Sequence, residues 1–264
     1  DNFCWPDPIE STKTPDGRFK LAQLVRANRE LERVCRAYRL PCVSGKDSMK
    51  NDYGSGPEKI SIPPTLLFSL FGDHPDVRQT ATSDFKFSGD RIYLVGTSNQ
   101  ELGASELAFM MTESGQTDGI GGRVPQLPHP EQNLAMYRSL STAIRAGIVR
   151  TAHDCSEGGL AVALAEMCIG GRLGASVDID GTGDGDVWGR LWGESLGRFV
   201  VAVSPDNEAA FLAAMKGHPT TVLGTVDNTA HLSIMDGDDP LVHMHVDAMT
   251  TAWKGTLDLT GGMA

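Results

Sequence analysis

Short apolar segments alternate with segments of helical periodicity along most of the chain, and this alternation constrains the fold more than any other feature. The segments RIYLV, GASVDI and GRFVVAVSP have the length and apolar content of strands. Residues 131–146 and 159–169 instead carry apolar side chains at helical spacing. Strands and helices mixed in this way predict an α+β fold, or a mixed α/β fold, arranged in two domains.

The N-terminal part of the chain predicts one long helix. From Phe19 to Tyr38, apolar residues recur at helical spacing and form one stripe, while Arg and Glu residues fill the other faces. The segment PCV at residues 41–43 then predicts a short strand. The segment KISIPPTLLFSLFG predicts a strand pair or one long broken strand, because Pro63 and Pro64 confine it to an edge or a bulge.

A turn signal marks the boundary between the two predicted domains. Ser88, Gly89 and Asp90 form a turn-like sequence just ahead of a compact apolar strand. We therefore predict an N-terminal domain of residues 1–87 and a C-terminal domain of residues 88–264.

The composition argues against several classes of protein. A formal net charge of −11 argues against a nonspecific nucleic-acid surface, which needs a basic face. The sequence shows neither a signal peptide nor an apolar run long enough to cross a membrane, so we expect a cytoplasmic protein that binds neither nucleic acid nor membrane. The five cysteines are odd in number and form no CxxC pair, which argues against a disulfide framework or a structural zinc site.

The segment HDCSEGGL, at the entry to a predicted helix, is the first candidate site. Ser156 is a good N-cap, and Gly158 and Gly159 allow a backbone or a ligand to approach closely. Asp154 is a hard oxygen ligand that can hold Mg²⁺ against a phosphate at the helix N-terminus. In a simpler interpretation the serine caps, the glycines pack against a sheet and the aspartate bonds to the loop. No base is evident to activate Cys155, so we do not expect it to be a nucleophile.

The segment VSGKDSMKND is the second candidate site. Lys46 can meet a phosphate as a point charge, Asp47 can meet a metal, and Ser48 can donate to a phosphate or substrate oxygen. The segment is not a P-loop, because the pattern GxxxxGK[ST] is absent. A polar transition from strand to loop with solvated charges explains the same residues equally well.

The segment WGESLGRFVVAV is the third candidate site, since Glu194, Ser195 and Arg198 come just before a strand. Arg198 can bind a phosphate, or it can form a structural ion pair with Glu194 four residues earlier. Glu101 and Glu106 in ELGASE can act as acid or base, but a helix surface or bonds to loop backbone explain them better.

Taken together, these segments resemble one family. The second half of the synthetase subunit of phosphoribosylformylglycinamidine synthases contains, in the same order, segments similar to DNFCWPDP, KLAQLVRANRELERVCRAYRLPCVSGKDSMKNDY, KISIPPTLLFSLFG, KFSGDRIYLVG, ELGASE, HDCSEGGLAVALAEM and ESLGRFVVAV. The motifs SGKDSM and HDxSxGGL are specific to this superfamily. It also includes aminoimidazole ribonucleotide synthase, selenophosphate synthetase, thiamine-phosphate kinase and the hydrogenase maturation dehydratase.

The resemblance implies an aminoimidazole ribonucleotide synthase-like unit of two domains. Its N-terminal domain is expected to form a half-barrel sheet with helices, and its C-terminal domain an α+β structure. The implied enzyme is a ligase of de novo purine biosynthesis, which uses ATP, Mg²⁺ and glutamine-derived ammonia to convert formylglycinamide ribonucleotide to its amidine. In such an enzyme the unit is present twice, and the second copy can hold ATP or ADP structurally.

The resemblance also implies roles for individual residues. Asn2 and Asp154 are expected to bind the metal of the nucleotide site. Many small-type members of the superfamily carry an Asn metal ligand at the position of Lys46, whereas large-type members read GKDS, as this chain does. The resemblance therefore implies that Lys46 contacts phosphate instead of binding a metal. Nucleotide contacts are expected from Gly45, Lys46, Asp47, Ser156, Gly158 and Gly159. Substrate contacts are expected from Ser48, Glu194, Ser195 and Arg198. We expect no catalytic residue in this chain, since the family's catalytic His belongs to the first half.

The expected partners are the first half of the same synthase, a glutaminase domain or subunit, and the ribonucleotide substrate. The chain begins at Asp1 within motif sequence and without Met, which suggests a fragment of a longer polypeptide or a processed N-terminus. A lone half exposes the apolar face of its half-barrel, which predicts a homodimer and no synthase activity in isolation. The alternatives are a non-catalytic scaffold module that binds a nucleotide with Mg²⁺, and a free-standing ATP-using relative.

Overall fold

The computed structural model describes residues 1–54, 58–115 and 121–255, and these form a mixed α/β structure, as predicted. The chain divides into two compact units. Unit 1 comprises Asp1–Pro75 and His129–Leu134, and unit 2 comprises Asp76–Pro128 and Ala135–Ala264. The last part of the predicted C-terminal domain, residues 256–264, lies outside the described residues.

Unit 1 contains one long helix and two small sheets. The helix α1 spans Gly17–Tyr38, which confirms the helix predicted from Phe19. The strands are β1 (Asn2–Cys4), β2 (Lys46–Ser48), β3 (Asp52–Tyr53), β4 (Ile60–Ser61) and β5 (Thr65–Leu67). In one sheet β1 pairs in parallel with β2 and antiparallel with β5, and in the other β3 pairs antiparallel with β4.

The strand predicted at residues 41–43 is wrong. These residues form a loop, and the strand comes later, at Lys46–Ser48. Pro41 lacks the backbone N–H that strand pairing uses, so the apolar content of this segment overstates its tendency to form a strand. The segment around Pro63 and Pro64 forms two separate strands, β4 and β5, one on either side of the prolines.

Unit 2 contains a seven-stranded sheet within the described residues. Its strands are β6 (Arg91–Val95), β7 (Val149–Asp154), β8 (Gly174–Asp178), β9 (Phe199–Val203), β10 (Thr220–Asp227), β11 (His231–Asp236) and β12 (Asp239–His245). They follow the order β12-β11-β8-β10-β6-β9-β7, in which β8 and β11 are parallel and the other neighbours antiparallel.

Helices and apolar cores cover both faces of this sheet. The helices are α2 (Glu106–Glu113), α3 (Pro130–Arg145), α4 (Gly159–Gly171), α5 (Val187–Trp192), α6 (Glu208–Ala214) and α7 (Val246–Gly255), with short 3-10 helices at Val77–Gln79 and Pro205–Asn207. Along β6, Ile92 and Leu94 face the core that contains α4, whereas Tyr93 and Val95 face the core that contains Phe211 of α6. The alternation along one strand thus supplies both cores. No helix in the described part of the chain is both long enough and apolar enough to cross a membrane.

The segment before β6 packs into unit 2. Phe85 is buried against α4, and its N–H donates to the carbonyl oxygen of Met167 at 3.1 Å. The N–H of Ala152 in β7 donates to the carbonyl oxygen of Thr82 at 3.2 Å. The compact unit therefore includes residues that come before the predicted domain boundary, and that boundary stays a prediction.

Candidate functional site

The turn between β7 and α4 lies beside two cavities. The strand ends at Asp154 and the helix begins at Gly159, so the turn consists of residues 155–158. One cavity has a volume of about 590 Å³ and the other about 420 Å³. Asp154, Ser156 and Glu157 line both cavities, and the Asp154 side chain is 64% exposed. The first candidate site is therefore accessible to a ligand.

The larger cavity has a predominantly acidic lining. Its polar groups include the carboxylates of Asp154, Glu157 and Glu194 and the guanidinium of Arg198, and Tyr137 contributes an aromatic wall. Carboxylates in such number repel a free anion at close range. An anionic ligand such as a phosphate therefore needs an accompanying cation to bind there.

The backbone at the start of α4 requires Gly158 and Gly159. Their φ angles are +75° and +64°, in the left-handed region that favours glycine. A Cβ on Gly159 would lie 2.5 Å from the carbonyl oxygen of Gly193, which leaves no room for a side chain. The backbone of residues 191–193 thus approaches this turn closely, which is one of the two reasons predicted for the glycines.

The prediction that Ser156 caps α4 is wrong. Its hydroxyl donates to the carboxylate of Asp154, and the N-cap position is occupied by Gly158. The two left-handed glycines delay the start of the helix, so Ser156 lies two residues ahead of the position from which a serine caps. Ser156 bonds to the first residue of the helix only through its backbone, because its carbonyl oxygen accepts from the N–H of Gly159 at 3.0 Å.

The carboxylate of Glu194 bonds to the starts of two helices. At α4 it takes the place of a serine cap, and at α2 it adds to the cap by Ser105, whose hydroxyl accepts from the N–H of Ala108 at 3.2 Å. Its Oε1 accepts from the N–H of Gly158 at the start of α4 and from the N–H of Glu106 at the start of α2, both at 2.9 Å. A carboxylate is favoured there because helix N-termini carry partial positive charge and unpaired N–H groups. The N–H groups of Gly158 and Gly159, predicted to contact the nucleotide, are therefore both bonded within the chain.

Arg198 closes the loop that carries Glu194. Its side chain is fully buried, and the guanidinium donates to the Ser98 hydroxyl at 2.8 Å, to the Ser195 carbonyl oxygen at 3.1 Å and to the Gly193 carbonyl oxygen. Burial lowers the pKa of Arg198 from its ordinary value, although an arginine keeps its charge in proteins. The alternative prediction of an ion pair with Glu194 is wrong, because the guanidinium bonds to these three acceptors instead and the segment is a loop rather than a helix that stacks residues four apart.

Ser195 and Glu101 are also buried, at 1% and 3% exposure. The Ser195 hydroxyl accepts from the N–H of Asn99, and a carboxylate oxygen of Glu101 accepts from the N–H of Gln126, both at 3.0 Å. The other carboxylate oxygen of Glu101 has no hydrogen-bond partner among the described residues. Glu101 thus bonds to loop backbone, which is one of the two explanations that the sequence favoured. Its almost complete burial was not predicted, because no feature of the segment ELGASE indicates it.

Cys155 is not an activated nucleophile. Burial raises the pKa of its thiol to about 11, so the thiol is protonated at neutral pH. The neighbouring His153 bonds through Nε2 to Glu166 of α4 at 3.0 Å and through Nδ1 to the Asp154 carbonyl oxygen at 2.8 Å. The turn therefore offers an exposed carboxylate and a hydroxyl rather than a nucleophile with its base.

In unit 1, the parallel pairing of β1 with β2 collects several residues of the second candidate site. The register aligns Asn2 with Lys46, and because side chains alternate along a strand, Ser48 shares their face while Asp47 lies on the other. The Lys46 ammonium donates to the Ser48 hydroxyl at 2.8 Å. Gly45 precedes the strand and lines a cavity of about 330 Å³.

The predicted metal ligands Asn2 and Asp154 belong to different units. Within residues 1–54, 58–115 and 121–255, no three His, Cys, Asp or Glu side chains are grouped so that they can hold a metal ion. A Mg²⁺ ion that arrives with a nucleotide needs fewer protein ligands, because phosphate oxygens and waters complete its shell. The exposed Asp154 carboxylate fits this second kind of site, and a metal shared with Asn2 stays a prediction.

The family model described as AIR synthase related protein, C-terminal domain, matches residues 88–237, which is more than half of the chain. This range contains Asp154, Glu194 and Arg198, and with them the turn and the loop that form the larger cavity.

Solved structures with a similar fold include Thermotoga maritima PurL complexed with FGAR, with a TM-score of 0.61 and 17% identity over 82% of this chain and 35% of that chain. The same protein complexed with ATP gives 0.56 and 17% over 82% and 33%. The hydrogenase maturation protein HypE in complex with ATP gives 0.58 and 13% over 92% and 72%. At these identities the likeness shows the fold alone, and this chain spans about a third of the length of the PurL structures.

Replacing Glu194 with Ala removes one acceptor from the starts of two helices. We expect Glu194→Ala to lower the free energy of unfolding by about 1–3 kcal/mol, measured by urea denaturation, because two N–H groups lose a charged partner. Glu157→Ala is the matched control in the same cavity, and it should change the stability by less than about 0.5 kcal/mol. Equal effects of the two substitutions would contradict the double cap.

Proposed function

Because the chain belongs to the AIR synthase related protein family, we propose that it acts in an ATP-dependent synthase of de novo purine biosynthesis. In this proposal it is the second half of a phosphoribosylformylglycinamidine synthase, which converts formylglycinamide ribonucleotide and glutamine-derived ammonia to the amidine. The fold shared with PurL, whose structures carry ATP in one case and FGAR in another, supports the proposal. The order of the sequence motifs supports it as well.

The observation that carries the proposal is the position of Asp154. Its exposed carboxylate lies at the end of β7, where two cavities meet, and the Ser156 hydroxyl bonds to it. A carboxylate with a hydroxyl beside it suits the cation that accompanies the phosphates of a nucleotide. We therefore propose Asp154 as a ligand of the nucleotide's Mg²⁺ and Ser156 as a nucleotide contact.

The acidic lining of the larger cavity is consistent with a magnesium nucleotide. A bound Mg²⁺ would neutralise phosphate charge, which the carboxylates of Glu157 and Glu194 otherwise repel. In this arrangement Asp154 supplies an oxygen ligand. The Ser156 hydroxyl, which donates to Asp154, orients that carboxylate toward the cavities.

In this proposal the chain holds its nucleotide without turning it over. Phosphoryl transfer depends on preorganised donors around the transferring group. Here the N–H groups of Gly158 and Gly159 are bonded to Glu194 and Ser156, so a phosphate gains them only by displacing those acceptors. A structural nucleotide needs no such displacement, and ADP with Mg²⁺ is the ligand that we propose.

For the ribonucleotide substrate, we propose a contact from Ser48 of unit 1, with Lys46 beside it as a phosphate contact. Their hydrogen bond at 2.8 Å and their shared strand face support this pairing. Ser195 and Arg198 form the loop's internal hydrogen bonds. In this copy of the motif we therefore propose that they shape the loop, and that Glu194 caps helices, instead of binding substrate.

The proposed partners are a first half of the synthase and a glutaminase. Unit 1 exposes large apolar side chains, including Phe71 at 87%, Tyr53 at 79% and Leu70 at 68%. Exposed apolar surface of this extent marks an interaction site. We propose that the first half covers it in the full enzyme, and that a second copy of this chain covers it in isolation.

A free-standing ATP-using enzyme is the second candidate function. The observation in its favour is coverage, because the match to HypE includes 92% of this chain and 72% of that protein. The match to PurL leaves about two thirds of PurL unmatched. Turnover by the chain itself separates the two candidates.

ADP with Mg²⁺ is expected to stabilise the chain. At a ligand concentration about 100 times Kd, the melting temperature should rise by roughly 5–10 °C, because binding to the folded state raises the free energy of unfolding by about 2.7 kcal/mol. Asp154→Ala should remove most of this shift, while Asp238→Ala, at an exposed turn of the same unit, should leave it intact. No shift at millimolar ADP would rule out the nucleotide site in this chain.

The chain alone is expected to release no phosphate from ATP above background and to form no amidine from formylglycinamide ribonucleotide and ammonia. The reason is that its helix-start donors are already bonded and that the family's catalytic His is expected in the first half. Phosphate release and mass spectrometry of the products measure this. Steady turnover that Asp154→Ala abolishes would favour the free-standing enzyme.

The isolated chain is expected to dimerise through unit 1. Phe71→Asp should raise the dimer dissociation constant at least about tenfold in sedimentation experiments, which corresponds to about 1.4 kcal/mol of lost apolar contact. Phe109→Asp, at a side chain of α2 that is 58% exposed, is the matched control and should leave the constant unchanged. A monomer at all concentrations would contradict the proposed interface.

A further inference from the structure

Two thiols of unit 1 lie close together at the end of α1. The Sγ atoms of Cys35, in the last turns of the helix, and Cys42, in the loop that follows, are 3.9 Å apart. Cys42 is exposed and Cys35 is half-buried in the single chain, so reagents in solution can reach the pair when no partner covers unit 1. By contrast, Cys155 and Cys168 are buried in unit 2, where burial raises the pKa of their thiols to about 11 and about 12.

The backbone between the two cysteines holds them together. Arg39 adopts a left-handed conformation with φ of 56°, and the N–H of Leu40 donates to the carbonyl oxygen of Cys35 at 2.9 Å. This is the hydrogen bond that closes a helix end when the chain turns back on itself. Pro41 then fixes its own φ, and the chain returns Cys42 to the side of Cys35. The approach of the thiols is therefore a product of the helix end and does not depend on a distant part of the fold.

We propose that Cys35 and Cys42 form a reversible redox pair, which a low-molecular-weight disulfide oxidises to an intramolecular disulfide. The exposed Cys42 thiolate attacks one sulfur of the small disulfide, which gives a mixed disulfide and releases one small thiolate. The Cys35 thiolate then attacks Sγ of Cys42 and releases the second. The two thiol protons of the protein pass to the two leaving thiolates, so two thiols are oxidised and one small disulfide is reduced.

The order of attack follows from exposure. Burial, together with the neighbouring Cys42 thiol, raises the pKa of Cys35, so less of it is thiolate at neutral pH. Cys42 is the group that an incoming reagent meets first. Cys35 is placed to resolve the mixed disulfide, because its sulfur already lies within 3.9 Å of the sulfur that it must attack.

A disulfide between Cys35 and Cys42 would restrict the loop of residues 40–46, which contains part of the second candidate site. Residues 40–46 line the cavity of about 330 Å³ together with Asp1 and residues 68–71, and they end in Gly45 and Lys46. A link from Cys42 to the end of α1 tethers this loop and narrows the conformations that it can adopt. This inference rests on unit 1 alone, so it stands or falls separately from the proposed nucleotide site of unit 2.

The test is to incubate the folded chain of residues 1–264, diluted until it is monomeric, with oxidised glutathione, block the remaining thiols and digest it with trypsin. We expect peptide Val34–Arg36 linked to peptide Leu40–Lys46, a loss of two titratable thiols per chain, and recovery of both with dithiothreitol. Cys4→Ser is the matched control and should keep the link. Cys35→Ser should instead accumulate glutathione on Cys42, and Cys42→Ser should form no link.

Three results would overturn the inference. They are a wild-type chain that keeps all its thiols, glutathione that remains on Cys42 in the presence of Cys35, and a link that joins two chains on a non-reducing gel. Circular dichroism of the oxidised chain checks that the fold is retained. If the link forms only in chains that have lost their native spectrum, the pair is a product of unfolding and the proposal fails.

Discussion

One buried guanidinium fixes the part of the molecule on which the candidate site depends. Arg198 donates to three acceptors, from Ser98, Gly193 and Ser195, and so gives the loop a single conformation. A charge at this depth is tolerated because its donors are satisfied, and a loop conformation that breaks these bonds would leave buried donors unpaired. The loop in turn places Glu194, which fixes the first turns of two helices. The conformation of this wall of the larger cavity therefore depends on Arg198, whose side chain is almost completely buried.

The start of α4 is an anion site that the protein fills from within. Glu194 supplies the negative charge that a helix N-terminus attracts, so a phosphate must compete with a carboxylate that is already tethered in place. The tether gives the carboxylate a high local concentration, whereas an external ligand has to lose its freedom in order to bind. A ligand that brings its own cation avoids this competition, since it can use the exposed Asp154 and leave the helix start as it is. The geometry thus favours retention of a ligand over chemistry on it.

The sequence predicted the parts of the fold that local periodicity controls. The helices predicted at residues 131–146 and 159–169 are confirmed as α3 and α4, because their apolar spacing holds over several turns. The prediction that Ser156 caps α4 was wrong because two successive glycines with positive φ move the start of the helix. The sequence shows that these residues are glycines, but it does not show which φ they adopt. The side-chain bonds of Glu194 and Glu101 depend on segments far apart in sequence, and the parallel pairing of β1 with β2 joins residues more than forty positions apart. Such contacts leave no mark on local pattern, so the sequence identified the site's residue types but not their partners.

In the part of the chain that the structure describes, the strand that ends at Asp154 is also the last strand on its side of the sheet. An outermost strand presents unpaired N–H and C=O groups, which invite pairing with another chain and, in time, aggregation. Thr82 covers part of this border, because its carbonyl oxygen accepts the N–H of Ala152. A protein trimmed to the predicted C-terminal domain at residue 88 would lose that cover. The short segment ahead of the domain therefore protects the solubility of the very strand that carries the candidate ligand.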